Sequence, residues 1–287
     1  MIDIMEIIPQ EGVRYSIINI IAYILGKVIN DYMERYTKAS HSWSPDRKCL
    51  IIMKNEFLFK RVLLMTNAKK NYATIQELQE GNKVPSEEGL DIKGLPLNKS
   101  GTNETTQNRL KKILYEDILN AENVDQVKVL KDLAVFEKEI YESLRTGQKT
   151  FYKPARINSA SSYEDPMRIQ GVKGAVVWNE LRQELESIDL ESRNSIDILK
   201  VNINKKNVDS IEDPYIRDKC KEMLNSPSFK TGINAISVPR DVEIPKWLVP
   251  YIDYTTIIND NISVFPLDPI GLHKMNLNNN YTNILRL

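Results

Sequence analysis

At 287 residues the chain is long enough for one large domain or two ordinary ones, and at 41% hydrophobic it can bury a sizeable core. Lysine and arginine number 39, as do aspartate and glutamate, so no global basic field advertises a nucleic-acid partner. The two cysteines, Cys49 and Cys220, lie far apart, which excludes a disulfide framework or a zinc site and makes a reducing compartment the default.

Residues 1–8 alternate loosely and read as a short strand, broken by Pro9 and Gly12. A long helix is predicted over 14–38, where Ile17, Ile21, Ile24, Val28, Tyr32 and Met33 recur at three- and four-residue steps. A second apolar line, Ile18, Leu25, Ile29 and Tyr36, widens the stripe and predicts burial on more than one side. The apolar run Ile17–Ile29 is interrupted by Asn19, Gly26 and Lys27. It falls short of the roughly 20 residues of a membrane span, and no cationic segment or cleavage site marks a signal peptide. Cys49–Met53 and Phe57–Met65 read as strands of a hairpin turning at Asn55-Glu56, with Cys49 as a buried thiol.

Asn82–Gly89 is a polar loop, and a strand is expected over Asp91–Lys99. Thr102 reads as the N-cap of a helix carrying Leu110, Ile113, Leu114 and Ile118, with Glu104 placed to complement the dipole. A second helix over about 124–145 shows Val129, Leu133, Phe136, Ile140 and Leu144 on one face and stops at Gly147. Its Glu137, Glu139 and Glu142 read as a solvated face. Asp165-Pro166 is a turn, and Val172–Leu181 reads as strand passing into helix. Residues 182–235 are polar and charge-rich with no organising period, compatible with an insertion. Five prolines space out Val238–Pro269, with a helix expected around Val249–Asn259. The Asn-rich end is expected to be loose.

Charge is uneven along this neutral chain. From Arg47 to Tyr72 there are seven basic residues and one acid, interleaved with Phe57, Phe59 and Tyr72, whereas 113–145 carries eight acids against four bases. Cations among aromatics on extended chain suit a duplex backbone or groove. The plain alternative is an edge strand guarded by lysines.

Within and after that basic stretch come Lys54-Asn55-Glu56, then Lys69-Lys-Asn-Tyr, then Asp91-Ile-Lys-Gly-Leu-Pro-Leu-Asn-Lys-Ser. Their order resembles family B DNA polymerases, in which a Lys-Lys-Arg-Tyr motif leads to a Lys-Gly-Leu/Ile strand opening the thumb. Val172-Lys-Gly-Ala-Val-Val-Trp-Asn resembles a thumb segment of phage-type members, with Lys173 in place of an arginine. Trp247, Tyr251-Ile-Asp-Tyr and Pro266-Leu267 resemble their C-terminal segment. The similarity spans roughly 14–270. Two departures stand out. Asn71 replaces the family's arginine, which puts one groove or phosphate contact in doubt. The sequence also lacks the Asp-x-x-Ser-Leu-Tyr-Pro and Tyr-Gly-Asp-Thr-Asp motifs whose carboxylates hold the metals, and the fingers and exonuclease segments.

The resemblance implies an α+β chain, with a partial palm over 1–90, a mainly helical thumb over 91–270 and a tail over 271–287. It implies a subunit of a split replicative polymerase, encoded apart from a chain that supplies the exonuclease, fingers, catalytic palm and two divalent magnesium ions. On this chain no catalytic or metal-binding residue is expected. Lys69, Lys70, Tyr72, Lys93, Lys99, Ser100 and Lys173 are the residues implied to face primer–template DNA. Tyr281, Ile284, Leu285 and Leu287 resemble a peptide that docks on a sliding clamp; the alternative is a tail folded back on the thumb. A cytoplasmic location follows, that of the host cell if the chain is phage-encoded. The competing reading is a stand-alone, non-enzymatic duplex- or clamp-binding protein derived from a polymerase fragment; a helical structural protein with chance motifs is the third. His41, His273 and Asp3 have no partner spacing for catalysis or metal, and no phosphate loop or nucleophile elbow occurs.

Overall fold

A computed structural model describes residues 11–40, 46, 52–65, 70–85 and 88–272. The expected strand at 1–8, Asp3, His41, Cys49, Lys69, His273 and the tail 273–287 lie outside the described residues. The chain divides into two compact units, Met1–Val62 with Ala73–Asp91, and Leu63–Tyr72 with Ile92–Leu287. Helices and small sheets make an α+β chain. Among the described residues no helix is long and apolar enough to cross a membrane.

The first unit opens with α1 (Glu11–Ser40). The sequence predicts burial for its wide apolar stripe, but Ile20, Ile21, Tyr23, Ile24, Leu25, Val28, Ile29, Tyr32 and Tyr36 are all exposed. Thr37 is its only buried side chain among those described. The extended segment after Ile52 is docked on α1 by the Asn30 amide, which donates to Met53 O at 3.0 Å and accepts from Met53 N at 2.7 Å. Among the described residues Ile52–Glu56 is not strand, so no hairpin turn is formed at Asn55-Glu56 there; Cys49–Ile51 of the expected strand lie outside the described residues. The pairing is instead between β1 (Phe57–Leu64) and β2 (Tyr72–Gln79). β2 also pairs with β3 (Asn82–Lys83) and β4 (Leu90–Lys93). Glu80 and Gly81 join β2 to β3 with φ of 50° and 84°. Two consecutive left-handed residues match the twist of a two-residue hairpin.

Chain beyond β4 belongs to the second unit. The strand expected over 91–99 ends at Lys93, because Gly94 turns the chain with φ 71° and Pro96–Asn98 forms a 3₁₀ turn. The next helix, α2 (Glu104–Ile113), is capped by Asn103 rather than Thr102; Asn103 Oδ1 accepts from Thr106 N at 2.8 Å. α2 runs on into a π-helical segment, Leu114–Leu119, closed by Asn120 N donating to Tyr115 O at 2.8 Å. α3 (Gln126–Arg145) follows, capped by Asp125. Val129, Leu133, Phe136, Ile140 and Leu144 are fully buried, as the spacing predicts. Glu139 and Glu142 pair with Arg109 and Arg145, but Glu137 is buried and not part of a solvated face. α3 packs against both α2 and α6 (Tyr254–Ile262), so its inward face is wider than one apolar stripe.

The core of this unit is an antiparallel sheet, β5 (Lys153–Ile157), β6 (Asn194–Ile203) and β7 (Ile233–Pro239), in that order. Lys153 lies opposite Ile198, and Ile198 opposite Ser237. The stretch 182–235, unorganised in the sequence, supplies β6, α5 (Pro214–Asn225) and the start of β7. Val172–Leu181 is helical throughout, within α4 (Gln170–Leu181). Its β-branched residues suggest a strand, but Gly171 and Gly174, one turn apart, let the helix lie directly on the sheet. A Cβ on Gly174 would fall 2.5 Å from Ser237 Oγ, and one on Gly171 2.7 Å from Ile157 Cγ2. Ser237 Oγ donates to Gly171 O at 2.7 Å. The helix expected at Val249–Asn259 is two pieces, a 3₁₀ turn at Lys246–Tyr251 containing Pro250, then α6 capped by Asp253.

Candidate nucleic-acid interface

Two motifs far apart in sequence meet at one turn of the second unit. Lys70 sits ahead of β2 with φ 64°, a left-handed conformation that costs a non-glycine residue about 1–2 kcal/mol. Asn71 O accepts from Met65 N at 3.1 Å, closing the β1–β2 connection. The Asn71 side chain points at Gly94, so this residue serves the turn rather than standing out from it. Tyr72 is half-buried, and Lys93 Nζ lies 5.7 Å from the centre of its ring, within cation–π range. Tyr72 and Lys93 therefore share one surface, and Lys70, two residues before Tyr72, is exposed as Lys93 is.

Lys99 and Ser100 follow on the turn between the Pro96–Asn98 helix and α2, and both are exposed. The turn is held by backbone acceptors. Thr102 Oγ1 donates to Pro96 O at 3.1 Å, and Gln107 Nε2 donates to Lys99 O and Thr102 O. Behind it lies a cleft of about 270 Å³, bordered by Lys99, Asn103, Lys153, Lys200, Asp260 and Asn261. Its floor is rigid. Asn261 Oδ1 accepts from Asn103 Nδ2 and Thr106 Oγ1, and Asn261 Nδ2 donates to Phe151 O and Ile257 O. Lys153 and Lys200 escape sequence reasoning because only the β5–β6 pairing brings them together; no local spacing signals it.

Lys173 is engaged within its own unit. Its Nζ donates to Ser228 O and lies 4.6 Å from the centre of the Phe229 ring. It stands on α4 and does not line the cleft that holds Lys99. Lys69 and the four residues of the tail motif, Tyr281, Ile284, Leu285 and Leu287, fall outside the described residues.

Titration shifts cluster away from the basic surface. Burial, with the hydrogen bond and charge of Asp117, holds the Asp132 carboxyl above the usual carboxylate range. Asp117 is itself buried and receives Lys128 Nζ at 2.6 Å. Burial likewise raises Asp197, against Lys149 and Arg240 at 3.9 Å each. Among the described residues no three His, Cys, Asp or Glu side chains converge as a metal site would require.

No curated protein matches the chain. The family model described as Divergent Family B DNA polymerase matches residues 5–284, which takes in both interlocked motifs, the sheet and the helices around it. With nearly its whole length matched in this way, the chain belongs to the divergent family B DNA polymerases.

Proposed function

We propose that this chain is the thumb and palm-edge subunit of a split family B DNA polymerase. It holds primer–template duplex while a separate chain supplies the metal-binding carboxylates, the nucleotide pocket and the exonuclease. The observation that supports this most is the cationic head of Lys93 over the Tyr72 ring, with the exposed Lys70 two residues earlier on the same turn. Such a surface neutralises phosphates and orients a duplex without reading its sequence. Lys99 and Ser100 extend the contact along the backbone. The two divalent metals would be held by the partner, and no step of the chemistry is assigned to residues here. A sliding clamp is a further partner in this reading, met by the tail residues.

The exposed face of α1 supports the partner. So many apolar side chains on one helix exceed what a surface leaves uncovered without cause. A stable palm interface would bury on the order of 2,000 Å² or more. The test is primer extension. The purified chain is expected to extend no primer with any divalent metal, and to restore extension when mixed with the chain carrying the catalytic motifs. Robust incorporation by this chain alone, free of contaminating polymerase, would overturn the proposal.

A further inference from the structure

We propose that the cleft bordered by Lys99, Lys153 and Lys200 is an anion subsite that takes one backbone phosphate of the bound nucleic acid. The inference rests on the nucleic-acid reading above and adds Lys153 and Lys200, which no motif singles out.

Strand register carries the argument. Lys153 lies directly opposite Ile198, so both point to the same face of the sheet. Lys200 is two residues beyond Ile198 and points to that face as well. The two lysines are thus diagonal neighbours, roughly 7–8 Å apart at the backbone. Diagonal neighbours on one face are within reach of each other's long side chains, so both ammonium groups can meet at one anion. The neighbouring face shows how this chain treats cations it means to neutralise internally. There Asp197, adjacent to Ile198 and facing the other way, sits between Lys149 and Arg240. Among the described residues no carboxylate forms an ion pair on the Ile198 face. Lys200 Nζ donates to the neutral Gln170 Oε1 at 3.0 Å. Neither Lys99 nor Lys153 has an ion-pair partner among the described residues, and Asp260 at the edge is the one acid bordering the cleft.

The remaining chemistry fits a phosphate. The cleft opens at the N-terminal end of α2, where the helix dipole adds positive potential. Both donors of Asn261 and one of Asn103 are spent on the floor, which leaves the lysines as the charged ligands. Lysine ammonium groups bind phosphate as point charges, with no fixed geometry required of the anion. A volume of about 270 Å³ is below the usual range for a whole small-molecule ligand and accommodates a single phosphate group.

The experiment is fluorescence anisotropy of the full chain on a primer–template duplex across a salt series. Wild type is compared with the Lys153→Gln/Lys200→Gln and Lys153→Arg/Lys200→Arg double variants. The glutamine pair is expected to lower the slope of log K against log salt by roughly 1, as the loss of one phosphate contact requires, and the arginine pair to retain it. A second arm replaces single phosphates of the duplex by neutral methylphosphonate. One position should weaken wild type and leave the glutamine pair unaffected. An unchanged salt slope in a folded glutamine pair, while Lys70→Gln/Lys93→Gln lowers it, overturns the subsite and leaves the duplex reading standing. Absence of duplex binding by wild type at any salt overturns both.

Discussion

Gly94 and Asn71 are fitted to each other so closely that one determines the other. A Cβ on Gly94 would lie 2.0 Å from Asn71 Oδ1 and 2.9 Å from Lys70 O. Gly94 is thus the seat of the residue between Lys70 and Tyr72. Gly94→Ala adds a side chain at φ 71° and a clash with both neighbours. It is expected to cost about 2–4 kcal/mol in urea unfolding and to weaken duplex binding. Asn71→Ala on that background should return the part due to the clash. A Gly94→Ala protein as stable as wild type would show that the two segments do not interlock.

Neutral replacement of Lys69, Lys70, Lys93 and Lys99 together should weaken duplex binding equally across sequences. If all four meet phosphates, the salt slope falls by roughly 3–4. Tyr72→Phe should slow extension by the reconstituted enzyme more than it weakens binding. Sequence-dependent losses in the quadruple variant would instead point to base readout.

Leu25→Glu/Ile29→Glu on α1 should leave the melting temperature of the chain alone within a degree or two, since both side chains are already exposed. The same variant should fail to co-purify with the partner chain and should lose reconstituted extension. Retained co-purification would remove this face from the interface.

The Asn261 amide ties α2, α6 and the end of the loop before β5 through four hydrogen bonds. Asn261→Ala strands the Phe151 carbonyl and the Asn103 and Thr106 donors. A loss of about 1–3 kcal/mol is expected by denaturant titration. A change under half of that would mean water replaces the amide.

Asp132 gives a pH signature. Its folded carboxyl titrates above the ordinary carboxylate value, so between the two the native state holds more protons than the unfolded chain. Stability then rises as pH falls from neutral toward the ordinary carboxylate range. Lys128 and Arg109 moderate the effect without reversing it. Asp132→Asn should raise stability at neutral pH and flatten this part of the curve. Asp197 contributes in the same direction, so the readout is the difference between the two proteins. Superposable pH profiles would show that burial and Asp117 do not raise the Asp132 titration.

Local patterns were legible where one stripe decides burial, as in α3, whose five periodic residues are all fully buried. They misled where long-range geometry overrides propensity. Val176 and Val177 suggest a strand, yet Gly171 and Gly174 seat α4 on β7. β6 lay hidden in a charged stretch because Asn194–Ile203 becomes a central strand only by pairing with two segments some forty residues away on either side. The same holds for the site. Lys70, Tyr72 and Lys93 were legible as motif residues, but that Asn71 turns inward was not. Lys153 and Lys200 needed the sheet register.

The wide turn at Leu114–Leu119 sets where this rod-like pair of helical stretches tolerates a change of length. Removing a residue from an ordinary α-helix swings everything beyond it by about 100° and would drag an apolar face out of the core. Here each turn already carries a surplus residue, marked by the bond from Asn120 N to Tyr115 O. A one-residue deletion within 114–119 can be absorbed by reversion to ordinary winding, keeping Leu110 and Ile113 facing inward. The segment is slack stored in an otherwise taut element, placed directly before the loop that reverses the chain into α3.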